Sequence, residues 1–111
     1  MSDKQKLKKL IEYMKPRPLM YLGNSFYSGM VSYINGFAAA CDEDIIGNFR
    51  KWLVKTRFNC EESNFSWCGL VLMLAFPHKK KGYIHDSDLS EEENLHAMQV
   101  AFSLLLEFLE Q

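Results

Sequence analysis

A helix-start signal late in the chain, at Ser90, constrains the fold of this sequence more than any other feature. Ser90 and Glu93 have the S-x-x-E spacing of a capping box, in which each side chain satisfies the backbone N–H of the other residue. A helical pattern then runs over residues 91–110. Its apolar stripe consists of Leu95, Met98, Phe102, Leu105 and Leu109, and is widened by Ala101, Leu104 and Phe108. So wide a stripe predicts a helix that packs between two neighbours.

Two amphipathic helices are predicted in the N-terminal half. The first spans residues 3–15, because Pro16 disfavours helical geometry at the residue before it. The second begins after Ser25, whose side chain can cap it. Their apolar positions are Leu7, Leu10, Ile11 and Met14 in the first helix, and Met30, Tyr33, Ile34 and Phe37 in the second. The positions expected to let another element approach the second helix closely are Gly29, Gly36 and Ala40.

The middle of the chain predicts two more helices. Asp42 is the expected N-cap of one, whose buried stripe comprises Ile45, Ile46, Phe49, Trp52 and Leu53. The segment 65–76 is apolar on every side, as is typical of a helix at the centre of a bundle, and Pro77 ends it. A buried strand over Leu70–Phe76 remains the alternative, since this run has strand length. Its Leu, Met and Ala content favours helix.

The connector between the first two helices, "KPRPLMYLGN" at residues 15–24, is rigid and apolar. The two prolines predict extended chain after Arg17. We expect Met20, Tyr21 and Leu22 to turn inward and plug the end of the bundle. Gly23 then allows the turn into the next helix.

Together these segments predict an all-α fold, a single domain over residues 1–111 with about five helices. The longest apolar run, Leu70–Phe76, is far shorter than the roughly 20 residues of a membrane span. The N-terminus shows no signal-peptide pattern. The three cysteines, Cys41, Cys60 and Cys68, are odd in number and lack CxxC spacing. They are expected to be reduced, mostly buried thiols of a cytoplasmic protein.

Charge is segregated along the chain, although the net charge is only −1. Residues 82–111 hold seven acids and no Lys or Arg, whereas residues 1–81 hold all thirteen basic residues against the other seven acids, a balance of +6. Overall neutrality argues against direct nucleic-acid binding as the main function. The acidic third indicates either a face for a basic partner or a solvated helix N-terminus, which acids favour in any case.

The chain carries no motif of a known catalytic site. His78, His85 and His96 lack metal-ligand spacing, and "HDSD" at residues 85–88 lacks the glycine and distal glutamate of a calcium loop. Nucleophile-elbow, P-loop and dinucleotide fingerprints are absent from the sequence. We therefore expect no enzyme, metal or cofactor. A ligand-binding bundle lined by Met30, Met73 and Met98 is a weaker alternative, since Met commonly fills gaps in cores.

The order of these segments resembles the small all-α immunity proteins that are encoded beside bacterial polymorphic and contact-dependent growth inhibition toxins. A basic amphipathic helix is followed by "RPLMYLG", a helix ending in "GFAAA", a helix with "F..WLV", an "SW..L" segment and an acid-capped helix. The matching positions are Arg17, Pro18, Met20, Tyr21, Leu22, Gly23, Gly36, Phe37, Phe49, Trp52, Leu53, Ser66, Trp67 and Leu70. Most of them are expected to be structural, and because immunity proteins diversify where they face the toxin, the resemblance transfers no binding residue.

The resemblance implies a cytoplasmic protein that binds a cognate toxin domain and blocks its active site. The acidic C-terminal third adds a preference for a nuclease toxin, because nucleases need basic clefts that hold phosphates. A small helical adaptor or regulatory subunit with a non-toxin protein partner is the alternative. Neighbouring genes would separate the two.

The predicted partner-binding site lies within residues 83–93. This is the longest clear loop, and it leads into a helix whose first turn holds more acids than a capping box requires. An aromatic side chain among charges is typical of an interface. The predicted site residues are Tyr83, His85, Asp86, Asp88, Glu91 and Glu92, with Glu93 kept as the cap. A second acidic cluster, Asp42, Glu43 and Asp44, competes with this site.

Overall fold

Six helices make up the described part of the chain. The computed structural model describes residues 1–58, 65–79 and 88–111. The helices are α1 (Asp3–Met14), α2 (Pro18–Leu22), α3 (Tyr27–Ala39), α4 (Ile45–Arg57), α5 (Trp67–Ala75) and α6 (Glu91–Leu109). These three stretches contain no strand, so the all-α prediction is confirmed, and the short α2 adds a sixth helix to the five expected.

Helix α6 lies at the centre of the fold and packs against α1, α3, α4 and α5. Met98, Phe102 and Leu105 on it are fully buried, as its wide apolar stripe predicts. The capping box at its start is confirmed. Glu93 N donates to Ser90 Oγ at 3.1 Å, and Ser90 N donates to Glu93 Oε1 at 2.9 Å.

Helix α1 follows its predicted boundaries to within one residue and buries Leu7, Ile11 and Met14 against the core. A second capping box, which the sequence analysis did not identify, begins it. Ser2 N donates to Gln5 Oε1 at 2.9 Å, and Gln5 N donates to Ser2 Oγ at 3.2 Å. The S-x-x-Q spacing was visible in the sequence and carries the same signal as S-x-x-E.

Helix α3 begins at Tyr27, so the prediction that Ser25 caps it is wrong. Asn24 Oδ1 accepts a hydrogen bond from Phe26 N at 2.9 Å, and this turn holds residues 24–26 out of the helix. The expected close approach at Gly36 and Ala40 is also wrong, because both residues are exposed and a Cβ at position 36 would meet nothing within 4 Å.

Helix α4 is capped by Asp44, whereas Asp42 was predicted. Asp44 Oδ1 accepts from Gly47 N at 3.1 Å. The turn that ends α3 extends to the Cys41 N–H, which shifts the start of α4 along the chain. On the predicted stripe Ile45, Phe49 and Leu53 are buried, while Ile46 and Trp52 are only half-buried.

The alternative of a buried strand over Leu70–Phe76 is wrong, because this run is helical as far as Ala75. Ser66 Oγ caps it by accepting from Gly69 N, and Trp67 Nε1 donates to Asn35 Oδ1 of α3 at 3.0 Å. Although α5 is apolar throughout, none of the helices in the described residues is long and apolar enough to cross a membrane.

The described cysteines, Cys41 and Cys68, are free thiols that are half-buried rather than buried. Burial, and then the nearby Asp3 carboxylate, raise the pKa of the Cys41 thiol. A raised pKa disfavours the reactive thiolate, as the structural interpretation of this cysteine expects. Cys60 lies outside the described residues.

Candidate partner-binding surface

Helix α2 exposes most of its apolar side chains. Met20 is 73%, Leu19 45% and Tyr21 40% exposed, whereas Leu22 is half-buried against the core. The predictions of extended chain after Arg17 and of an inward-facing Met20 and Tyr21 are therefore wrong. Pro18 sits at the first helical position, where proline's missing N–H costs nothing, so it starts a helix here.

The chain leaves α2 through a tight turn that carries a further exposed aromatic residue. Gly23 adopts a left-handed conformation with φ of 75°, which glycine permits, and its N–H donates to Leu19 O at 3.0 Å. The following turn ends at Phe26, which is 53% exposed. Four large apolar side chains are thus exposed within residues 19–26.

A buried hydrogen bond joins Tyr27, the residue after this stretch, to Asn94 near the start of α6. Tyr27 N donates to Asn94 Oδ1 at 2.8 Å, and Asn94 is only 2% exposed. Asn94 Nδ2 in turn donates to Ser90 O at 3.0 Å and to Leu89 O at 3.4 Å. The start of α3 therefore lies directly against the residues that precede and begin α6.

Three exposed acids lie next to Leu89 and Ser90 in the sequence. Asp88 and Glu91 flank the Leu89–Ser90 pair that Asn94 binds, and Glu92 follows. Glu91 lies one helical turn before Asn94, so both residues share a face of α6. We call Leu19, Met20, Tyr21, Phe26, Asp88, Glu91 and Glu92 the α2–α6 surface. The predicted site residues Tyr83, His85 and Asp86 lie outside the described residues.

The other acids of α6 are paired with basic residues from earlier in the chain. Their ion pairs are Glu93 with Lys79 at 3.2 Å, Glu107 with Arg57, and Glu110 with Lys8 at 3.7 Å. The hydrogen bond from the Ser90 backbone, and then Lys79, hold the pKa of Glu93 below its usual range. Glu91 and Glu92, in the first turn of α6, are exposed and take part in none of these ion pairs.

The competing acidic cluster has a structural role. Asp44 caps α4, and Asp42 N donates to Asp3 Oδ2 at 3.0 Å, which ties this turn to α1. Residues 34–58 contain no exposed large apolar side chain. The cluster thus has no exposed large apolar side chain close to it in the sequence, whereas α2 and Phe26 expose four.

The remaining polar candidates do not form a reactive group. His96 Nε2 lies 3.3 Å from Ala75 O, and its ring contacts the Phe76 ring edge-on at 5.6 Å. Within residues 1–58, 65–79 and 88–111, no three His, Cys, Asp or Glu side chains come together as metal ligands would. Met30 and Met98, suggested as pocket lining, are fully buried in the core.

Comparison of the chain with protein-family models, with curated proteins and with solved structures gives no match in any of the three. The exposure of α2 and Phe26, and the hydrogen bond from the adjacent Tyr27 to Asn94 of α6, therefore define the candidate surface. The predicted site residues Asp88, Glu91 and Glu92 are exposed, and so are Met20 and Tyr21, which the sequence predicted to turn inward.

Proposed function

We propose that this protein is an immunity protein that binds a cognate bacterial toxin domain in the cytoplasm and covers its active site with the α2–α6 surface. The proposed occupant is a nuclease domain with a basic cleft. One observation carries the proposal: residues 19–26 expose four large apolar side chains, and the last of them, Phe26, precedes Tyr27, whose N–H Asn94 binds at the acidic start of α6.

The apolar half of the surface can supply the affinity. Burying a large apolar side chain contributes roughly 1.5–3 kcal/mol, and exposed side chains forgo this gain until a partner covers them. Tyr21 and Phe26 are aromatic, and Tyr is among the residue types that dominate interface energetics. Met20 has a flexible side chain that adapts to an irregular pocket.

The acidic half fits the partner's charge. A nuclease holds phosphates with Lys and Arg, so a group of carboxylates can occupy the same positions. Asp88, Glu91 and Glu92 place three such exposed groups at the start of α6, the helix whose Asn94 binds Tyr27 N. Complementary charge also speeds the encounter, which suits an inhibitor that must act before the toxin damages nucleic acid.

The resemblance to immunity proteins supports the proposed class of protein, although it transfers no binding residue. Met20 and Tyr21 are assigned to the surface by their exposure alone. Leu22, one of the matching positions, is half-buried and secures α2 to the core.

The test is binding to the toxin domain encoded beside this gene, measured by calorimetry, together with inhibition of its nuclease activity. The double variant Met20→Ser/Phe26→Ser is expected to bind about 100-fold more weakly, since two interface anchors are lost. The matched control is Tyr13→Ser/Tyr33→Ser, which removes two exposed aromatic side chains from α1 and α3. Equal loss in both variants, or no binding by the wild type, would contradict the proposal.

A further inference from the structure

We propose that Asn94 is a positioning residue that holds Phe26, at one end of the apolar half of the α2–α6 surface, at a fixed spacing from the acidic half. The side-chain amide of Asn94 bonds the chain neighbours of both at once. Its Oδ1 accepts from Tyr27 N, next to Phe26, and its Nδ2 donates to the carbonyls of Leu89 and Ser90, which lie between Asp88 and Glu91.

The contact with Tyr27 is a helix cap supplied from another helix. The first N–H groups of a helix have no partner within it, and the N-cap Phe26 has no side-chain acceptor to offer. Asn94, 67 residues further along the chain, supplies that acceptor at 2.8 Å. The start of α3 is therefore anchored to α6.

Burial makes this arrangement specific. Asn94 is the one polar residue among the fully described side chains that is buried in the core, at 2% exposure. Away from water an unpaired amide is costly, so displacement of either half leaves a buried group unsatisfied. Tyr27 strengthens the same junction, because its hydroxyl donates to Cys68 O of α5 at 2.8 Å.

A fixed spacing benefits binding because less conformational entropy is lost when a preorganised surface meets its partner. This inference rests on the proposed function for its consequence in binding. The role of Asn94 in holding this spacing can be measured in the free protein, without a partner. A negative result there would not contradict the proposed function, and a lack of toxin binding would not contradict the role of Asn94.

The first arm uses nuclear magnetic resonance of the free protein and two variants of Asn94. Asn94→Ala removes all three hydrogen bonds, and it is expected to speed exchange of the Tyr27 N–H about tenfold relative to core amides. It is also expected to shift the amide signals of Phe26 and Glu91 together. Asn94→Asp keeps the acceptor for Tyr27, so Tyr27 should stay protected while only the signals of residues 89–91 shift.

The matched control is Gln99→Ala. Gln99 is a half-buried amide on the same helix whose Nε2 donates to Lys15 O of α1 at 2.8 Å. Its loss is expected to leave Phe26, Tyr27 and Glu91 unshifted. Unchanged Tyr27 exchange in Asn94→Ala, or shifts confined to one half of the surface, would overturn the proposal.

The second arm measures affinity for the neighbouring toxin domain in a double-mutant cycle. In the wild-type background, the effects of Phe26→Ser and Glu91→Gln on the Kd are expected to depart from additivity by about fivefold. In the Asn94→Ala background the same two effects are expected to be additive. A purely structural role would lower stability without changing this coupling, and additive effects in the wild type would count against the proposal. If the wild type does not bind the toxin domain, the proposed function fails and the exchange measurement alone decides the role of Asn94.

Discussion

Met20 and Leu22 face opposite sides of the five-residue helix α2, so that Met20 is 73% exposed while Leu22 packs against the core. Residues two positions apart on a helix are separated by about 200° around its axis, so Met20 and Leu22 cannot both turn inward. Leu19 and Tyr21 are exposed as well. Three of the four apolar residues 19–22 therefore form a surface, and Leu22 alone packs inward.

This geometry predicts different costs for two methionine substitutions. Met20→Ala should change the free energy of unfolding by less than about 0.5 kcal/mol, since surface substitutions rarely do more. Met30→Ala, at a fully buried position, should cost about 2–5 kcal/mol. Urea denaturation monitored by circular dichroism checks both. A large loss of stability in Met20→Ala would mean that α2 packs inward after all.

The assignment of the α4 cap predicts a contrast between two neighbouring aspartates. Asp44→Ala should destabilise the protein by about 0.5–2 kcal/mol, because Asp44 caps Gly47 N, whereas Asp42→Ala should have little effect. Gly47→Ala should mimic the loss of the cap, since its added Cβ would clash with the Asp44 carboxylate. Chemical denaturation of the three variants measures this, and equal costs at positions 42 and 44 would refute the assignment.

Glu93 predicts a pH dependence of stability. Its pKa is lower in the folded protein, through the Ser90 backbone and then Lys79, so its contribution is present above the unfolded pKa and is lost as the pH falls through the folded value. The melting temperature of the wild type should therefore exceed that of Glu93→Gln at neutral pH, and the difference should disappear in acid. Glu92→Gln, which removes a charge from the same helical turn, serves as the control. A difference that persists unchanged at the acid end would exclude this linkage.

The acids of the α2–α6 surface predict a kinetic effect on binding. Neutralising them together, as Asp88→Asn/Glu91→Gln/Glu92→Gln, should slow association with the basic toxin domain about tenfold at low salt and flatten its salt dependence. Stopped-flow measurements over a range of ionic strength check this. The control Asp42→Asn/Glu43→Gln removes acids from the competing cluster. If the control slows association as much as the triple variant does, the acidic half has been placed wrongly.

Local sequence signals predicted the long helices well and the candidate surface only in part. The periodicities of α1 and α6 and the Ser90 capping box require only neighbouring residues, and all three are confirmed. Which side chains of residues 18–22 are exposed depends on whether Pro18 starts a helix or continues an extended chain, and the local sequence permits both. The role of Asn94 depends on a contact with Tyr27 across 67 residues, which no local pattern contains.

Titration of the unlabelled toxin domain into isotope-labelled protein, followed by amide chemical shifts, tests the proposed binding surface most directly. The largest changes are expected at residues 18–26 and 88–92, with residues 42–44 and the outer face of α1 around Tyr13 unaffected. Saturation should coincide with loss of nuclease activity. Changes centred on residues 42–44 or on Tyr13, or no changes at saturating toxin domain, would contradict binding through the α2–α6 surface.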